Sequence, residues 1–203
     1  NHSKDKFSCS LGLKANRVHF SNISINKSYY NFLPKAMLGY RLNENSFIRY
    51  DVEMSQTNPT LVELTDTEIR LDPYLAERGN LLLKPYSNLN NNLFYEHKKG
   101  LFTFNANLRH HYKHNPIMES VKEQGNIFLI IPENMKSWNK YNAEMNLKVG
   151  MIKNILQFSL TGGYNHFNSQ GNNYSHEYSN FYYSANVLAM YKKWMFIVQI
   201  QPF

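Results

Sequence analysis

Apolar and polar residues alternate with a period of two along most of this 203-residue chain. The segment that begins at Leu101 is typical, because its even-numbered positions are mostly apolar and its odd-numbered positions are polar. The apolar positions are Phe102, Phe104, Ala106 and Leu108, and the polar ones are Thr103, Asn105, Asn107 and Arg109. Residues two apart share a face of a β-strand, whereas a helix brings together residues three or four apart. The pattern therefore predicts strands.

The same alternation predicts nine strands. They cover about residues 7–20, 32–42, 46–57, 88–97, 101–113, 138–149, 154–166, 178–190 and 194–202. The connections alternate between short turns, at 43–45, 98–100, 150–153 and 191–193, and long polar segments, at 21–31, 58–87, 114–137 and 167–177. In an up-and-down antiparallel sheet, this places the short turns at one end and the long loops at the other. Outer-membrane barrels have this asymmetry.

A soluble β-sandwich also alternates, with its apolar face on a core, so alternation alone leaves both architectures open. Three features favour the barrel. The strands match the roughly 9–11 residues that cross a tilted bilayer, aromatic residues lie near strand ends as at membrane interfaces, and the polar faces suit a hydrated lumen. We predict an all-β protein, an antiparallel up-and-down transmembrane β-barrel segment of about nine strands. It occupies residues 1–203 as part of a larger barrel.

Composition agrees with a β-rich membrane protein and excludes several other classes. The chain has 15 Tyr and 13 Phe, which suit a pleated surface, and no apolar run near the roughly 18 residues of a membrane helix. Its net charge of +7 is spread along the chain without a basic run or recognition helix, which argues against nucleic-acid binding. A single cysteine, Cys9, excludes an internal disulfide and a cysteine zinc site. Because the chain begins mid-pattern, we interpret it as a fragment.

Candidate catalytic and metal-binding residues have simpler interpretations. His110 and His111 are adjacent on one strand and face opposite ways, so they cannot share a metal with each other. Asp51 and Glu53 share a polar face with Arg49, which predicts lumen ion pairs rather than acid–base catalysis. No phosphate loop, zinc-protease or hydrolase motif is present. We therefore predict no enzymatic activity, no catalytic residues, no metal and no cofactor.

Two segments resemble a known family. "FLPKAMLGYRLNENSFIRYDVEMSQTNP" and "LDPYLAERGNLLLKPYSNLNNNLFYEH" are similar to the barrel region of TonB-dependent outer-membrane receptors, and in particular to the outer membrane protein β-barrel family. The family has a glycine–asparagine and a lysine–proline leading into a strand. Gly79, Asn80, Lys84 and Pro85 match these positions. Gly79 is expected to adopt a positive φ, and Pro85 to hold the preceding residue extended, so that the segment sets a strand's register.

The resemblance implies a location in the cell outer membrane, in contact with its lipid. Such receptors close about 22 strands around a plug domain and import scarce ligands through coupling to the TonB system. The plug and the remaining strands of the same receptor would therefore be partners of this chain. Two alternatives stay open: a secreted β-sandwich binding module, and an outer-membrane barrel enzyme with catalytic groups on its loops.

A receptor of this kind would bind its ligand at the long loops, because a rigid scaffold positions loops for recognition. The candidate ligand-binding residues are Tyr74, Arg78, Lys122, Glu123, Trp138, Asn172, Tyr174 and His176. "NIFLII" in the loop 114–137 is too apolar for a free coil and predicts a strand extension above the membrane.

Two further expectations concern the strands. In the first hairpin, Leu38 should oppose Tyr50 and Lys35 should oppose Glu53, since the shifted register sets Arg41 against Arg49. The lipid-facing residues should be Phe104, Leu108, Leu156, Phe158 and Leu160, and the lumen-facing residues Asn105, Asn107, Gln157 and Ser159.

Overall fold

The computed structural model describes residues 6–21, 26–151 and 155–201. In these ranges the chain forms thirteen β-strands and no α-helix. The strands are β1 (Phe7–Ser21), β2 (Asn26–Asn43), β3 (Ser46–Thr57), β4 (Glu68–Arg70), β5 (Leu75–Arg78), β6 (Tyr86–Lys99), β7 (Phe102–His114), β8 (Ile117–Gln124), β9 (Ile127–Asn134), β10 (Ser137–Met151), β11 (Leu156–Gln170), β12 (Ser175–Tyr191) and β13 (Trp194–Ile200). A search of the described residues for a helix long and apolar enough to cross a membrane finds none.

Nine of the strands form one antiparallel sheet, which we name the barrel sheet. Its order is β1-β2-β3-β6-β7-β10-β11-β12-β13, so consecutive members are neighbours in space as in an up-and-down meander. The nine predicted strands correspond one to one to these nine, and the all-β fold class is confirmed.

The other four strands form a second sheet, which we name the cap sheet. Its order is β4-β5-β9-β8, in which β5 and β9 are parallel and the other two pairs are antiparallel. The strands β4 and β5 belong to the connection between β3 and β6, and β8 and β9 belong to the connection between β7 and β10. Both connections leave the same end of the barrel sheet. The "NIFLII" strand is confirmed as part of β9, but it pairs within the cap sheet instead of extending a barrel strand, and that part of the prediction is wrong.

The register of β2 and β3 is the predicted one. Lys35 is the partner of Glu53, and Leu38 is the partner of Tyr50. The Lys35 Nζ lies 3.7 Å from Glu53 Oε2. Arg41 lies opposite Phe47, so the repulsive pair of arginines does not form.

The two faces of the barrel sheet also follow the prediction. One row of cross-strand partners consists of Phe104, Leu147 and Leu160, and the next row consists of Asn105, Asn146 and Thr161. Successive rows point to opposite faces of a sheet, so apolar and polar side chains are separated as expected. The apolar face is open: the exposed fraction of the Leu108 side chain is 53%.

The buried apolar residues lie elsewhere. They are Leu64, Ala76, Leu83, Leu129, Ile131 and Met135, all in the segments that carry the cap sheet. A β-sandwich would bury the apolar face of the large sheet against a second sheet. The sandwich alternative is therefore wrong.

Two predicted long connections differ from the structure. The strands β11 and β12 extend to Gln170 and from Ser175, so the loop 167–177 shortens to residues 171–174. Similarly, β1 reaches Ser21 and β2 begins at Asn26, and residues 22–25 of the loop 21–31 lie outside the described residues, as do residues 152–154 of one short turn. The predicted boundaries followed the apolar residues, whereas backbone pairing continues through polar residues once a strand leaves the apolar belt. The strict alternation of short and long connections is therefore wrong at 167–177.

Candidate ligand-binding cap

The family-like segment lies where the cap meets the barrel sheet. A Cβ atom at Gly79 would lie 2.4 Å from the carbonyl oxygen of Thr65 and 2.6 Å from that of Glu63. The glycine is therefore required for a close approach of two backbone segments. The expectation of a positive φ is wrong at this position, because the described glycines with positive φ are Gly100 and Gly125.

Hydrogen bonds from this segment tie the first cap connection to β9. Asn80 Nδ2 donates to the carbonyl of Pro132 at 3.0 Å. The Lys84 N–H donates to Asn134 Oδ1 at 2.9 Å, and Asn134 Nδ2 donates back to the Lys84 carbonyl at 2.9 Å. Asn134 Nδ2 also donates to the Asn115 carbonyl at 2.8 Å. We call this set of bonds the Asn134 clasp.

Apolar packing completes the cap. Ala76 and Leu129 are register partners of β5 and β9 and are both buried. A second cluster joins buried Leu64 and Leu83 to Phe20 at the end of β1. The Lys27 ammonium donates to the carbonyl of Leu81, which adds a contact to β2. The cap is therefore fixed to the loop end of the barrel sheet.

Two cavities open on the cap. The first, the carboxylate cavity, has a volume of about 660 Å³. The second, the ion-pair cavity, has a volume of about 460 Å³. The carboxylate cavity is lined by residues that include Val62, Glu63, Ile69, Glu77, Arg78, Ile117, Met118, Glu119, Ile130 and Pro132, and the ion-pair cavity by residues that include Asp66, Arg78, Lys122, Ile131 and Glu133.

The structure brings together two of the candidate ligand-binding residues. Arg78 and Lys122 line the ion-pair cavity. Arg78 Nε lies 3.7 Å from Asp66 Oδ1, and Lys122 forms an ion pair with Glu133. Each cation therefore already has a carboxylate partner.

The other candidates lie apart from both cavities. Tyr74 and Glu123 are exposed on the cap and line neither of them. Trp138 is the second residue of β10, and the Lys113 ammonium lies 4.8 Å from its ring centroid. Asn172 and Tyr174 lie in a separate tip, residues 171–174, between β11 and β12. His176 is the second residue of β12, and its ring centroid is 5.0 Å from that of Tyr174.

Sequence reasoning missed three residues of the cap: Asn134, Glu77 and Glu119. The positions of Glu77 and Glu119 depend on the pairing of β5, β8 and β9. No local sequence pattern predicts that a strand of one connection pairs in parallel with a strand of another. Asn134 gave no signal either, because it is a polar residue at the end of β9, three positions after the last isoleucine of "NIFLII".

The polar face of the barrel sheet carries hydrogen-bonded ion pairs, as predicted for a lumen. Arg49 Nε lies 2.8 Å from Asp51 Oδ2. Glu144 is 3.8 Å from the Arg109 guanidinium and accepts a hydrogen bond of 2.7 Å from the Tyr182 hydroxyl. Each of these two carboxylates has a basic neighbour, which fits ion pairing better than acid–base chemistry.

The histidines of β7 face opposite ways, as expected. His110 stacks on Tyr141 with ring centroids 4.4 Å apart, and His111 Nδ1 lies 2.6 Å from Asn90 Oδ1. Among the described residues, no group of three His, Cys, Asp or Glu side chains is arranged to hold a metal ion.

Residues 1–200 match the model of the outer membrane protein beta-barrel family. The chain belongs to this family. Its place is therefore the cell outer membrane, where the open apolar face of the barrel sheet meets lipid. No curated protein matches the chain.

The fold is similar to that of two solved receptor structures. The siderophore receptor PirA from Pseudomonas aeruginosa has a TM-score of 0.63 at 13% identity, over 94% of this chain and 40% of that one. The ferric enterobactin receptor PfeA from the same organism has a TM-score of 0.59 at 12% identity, over 95% of this chain and 36% of that one. This family member thus spans about two-fifths of the length of the receptors it resembles.

Proposed function

We propose that this chain is the ligand-facing part of the barrel of an outer-membrane receptor that binds and imports a scarce ligand. The cap carries the proposal, because it places two cavities on a sheet that is fixed at one end of the barrel sheet. Ligand sites are concave and combine apolar walls with a few polar groups, and both cavities have this character.

The proposed receptor needs parts in addition to the strands and the cap described above. The remaining strands close the barrel, a plug domain fills the polar lumen, and the TonB system supplies energy. The polar face of the barrel sheet supports this arrangement, because its ion pairs and amides suit contact with water or with a polar partner. Among the predicted ligand-binding residues, Arg78 and Lys122 line the ion-pair cavity and Tyr74 and Glu123 lie exposed on the cap, so we propose that the cap contacts the ligand.

An enzymatic role is the weaker candidate. Acid–base catalysis needs a carboxylate or histidine whose proton is available to a substrate. On the polar face, Asp51, Glu53 and Glu144 each have a basic partner within 4 Å. We therefore propose binding and transport without chemistry.

Loop replacement in the full-length receptor tests the proposal. Residues 61–82 and 117–133 are each replaced by a short Gly-Ser linker, and the matched control replaces residues 171–174 at the separate tip. Because the similar structures include siderophore receptors, uptake of radioactive iron from a panel of ferric siderophores is the first measurement. Heat-modifiable migration of the barrel in gels is the second.

We expect cap replacement to abolish uptake of the active ligand while the barrel still assembles, and the control to retain uptake. Unchanged uptake after removal of both cap segments contradicts the proposal and moves the recognition site to other strands or to the plug. Uptake that persists without TonB contradicts the proposed energy coupling.

A further inference from the structure

The carboxylate cavity differs in charge from the chain as a whole. The chain has a formal charge of +7, whereas the cavity is lined by the carboxylates of Glu63, Glu77 and Glu119 and by one guanidinium, that of Arg78. Arg78 Nε lies 3.7 Å from Asp66, so part of its charge is offset from outside the cavity. The cavity is therefore a negatively charged site on a positively charged protein.

Two of the three carboxylates flank an apolar floor. In the cap sheet, Glu77 of β5 is the partner of Ile130, and Glu119 of β8 is the partner of Pro132. Because β9 lies between β5 and β8, the two glutamates are separated by two strand spacings across the sheet, about 10 Å, and by two residues along it, about 7 Å, which places their backbones about 12 Å apart. Ile130 and Pro132 on β9 form the floor between them.

The same two carboxylates have no basic partner. Glu63 is committed to its own turn, where Oε2 accepts hydrogen bonds from the Thr60 N–H at 2.7 Å and the Thr60 hydroxyl at 2.9 Å. Among the described residues, no Lys, Arg or His lies within 4 Å of the Glu77 or Glu119 carboxylate. Glu77 and Glu119 therefore keep their hydrogen-bond acceptors for another molecule.

We propose that the carboxylate cavity binds an amphipathic cation, whose apolar or aromatic body lies on Ile130 and Pro132 and whose positive groups meet Glu77 and Glu119. The volume of about 660 Å³ lies within the range of about 300–1,000 Å³ found for small-molecule sites. The ion-pair cavity carries no such preference, because its two cations are matched by two carboxylates. This inference rests on the proposed function, since it names the class of ligand that the cap selects.

The test uses the full-length receptor in nanodiscs of zwitterionic phosphatidylcholine. The probe is DAPI, a rigid aromatic dication with an amidinium at each end, and its counterpart is the same skeleton with two carboxylates. Binding of each is measured by fluorescence titration to the wild type, to the double variant Glu77→Gln/Glu119→Gln, and to Glu68→Gln. Glu68 is the matched control, because it lies on β4 of the same cap sheet, is exposed and does not line the cavity.

We expect DAPI to bind the wild type and the control alike, and the double variant to bind it about tenfold more weakly, as loss of charged hydrogen bonds implies. The dicarboxylate should bind at least about tenfold more weakly than DAPI to the wild type. The inference is overturned if the two probes bind the wild type equally, if the control loses as much DAPI affinity as the double variant, or if DAPI does not bind. Heat-modifiable migration confirms that each variant forms its barrel.

Failure of this inference is distinguishable from failure of the proposed function. If DAPI and the dicarboxylate bind equally well but uptake still depends on the cap, the inference of a cationic ligand is wrong and the receptor role stands. If DAPI binds with the expected charge selectivity but uptake survives replacement of the cap, the cation site stands and the import role is wrong.

Discussion

Asn134 holds the backbone of Lys84 from both sides, since its Oδ1 accepts from the Lys84 N–H at 2.9 Å and its Nδ2 donates to the Lys84 carbonyl at 2.9 Å. An amide side chain that bonds both groups of one residue acts as a strand partner would. The contact joins the end of β9 to the residue just before Pro85 and β6. It therefore links the two cap connections at the point where one of them returns to the barrel sheet.

Substitution Asn134→Ala should loosen the cap while leaving the barrel intact. It removes the hydrogen bonds to the two backbone groups of Lys84 and to the carbonyl of Asn115, each of which contributes about 0.5–1.5 kcal/mol. Hydrogen exchange of the amides in 80–84 and 127–134 of the full-length receptor should become faster. Asn134→Asp keeps the acceptor and loses the donor, so intermediate exchange is expected. Identical exchange in all three proteins would show that the clasp does not hold the cap.

The Leu64 cluster should be the main apolar support of the cap. Leu64 is fully buried beside Leu83, and truncation of a buried leucine to alanine costs about 2–5 kcal/mol. We expect Leu64→Ala to make the cap segments sensitive to brief proteolysis in the assembled receptor. Leu61→Ala is the control, because Leu61 is 42% exposed and such surface changes cost about 0.5 kcal/mol or less. Equal proteolysis of the two variants would contradict the assignment of this core.

Two adjacent glycines of β11 should differ in their tolerance of a side chain. A Cβ at Gly163 would lie 2.3 Å from the Tyr182 ring, whereas a Cβ at Gly162 meets nothing within 4 Å. The Tyr182 ring has little freedom to move, because its hydroxyl bonds to Glu144 at 2.7 Å and to Asn142 at 3.1 Å. Gly163→Ala should destabilise the barrel by about 1–3 kcal/mol, and Gly162→Ala should be nearly neutral. Unfolding of the full receptor in denaturant measures both, and equal midpoints would refute the contact.

The apolar face of the barrel sheet should reject charge. Leu160 lies midway along the outward-facing apolar run from Leu156 to Tyr164, and Ser159 lies beside it on the polar face. Arg at a lipid-facing position near the midplane costs about 2–4 kcal/mol. Leu160→Arg should therefore reduce the yield of assembled receptor in the outer membrane, and Ser159→Arg should not. Similar yields for the two variants would contradict the assignment of faces.

The barrel sheet was predictable because its information is local. Period-two alternation assigned Phe104 and Asn105 to opposite faces, and the repulsion between Arg41 and Arg49 selected the register of the first hairpin. Strand ends were less predictable, because residues such as Asn168 and Ser169 pair through their backbone without any apolar signal.

The cap was not predictable, because its pairing is non-local. The strands β4 and β5 have three and four residues, too few to show a period, and β5 pairs with a strand from another connection. The prediction of a positive φ at Gly79 was wrong for a related reason. Its constraint comes from the carbonyls of a neighbouring turn, whereas sequence reasoning had assigned it to the conformation of glycine itself. Arg78 and Lys122 were predicted as ligand-binding residues because they are polar groups in the long connections, and only the structure shows that each has a carboxylate beside it.

The parallel pairing of β5 with β9 depends on the register of β6 and β7 in the barrel sheet. Between these two strands the chain runs along β6, returns along β7 and then forms β8, so the hairpin of β6 and β7 is part of the crossover that joins the parallel pair. A slip of two residues between β6 and β7 would displace the start of the next connection by about 7 Å. Leu75 would then miss Phe128, and Lys84 would miss Asn134. Misaligned barrels would thus lack a closed cap, and a check on strand alignment would lie in the surface that we propose for ligand binding.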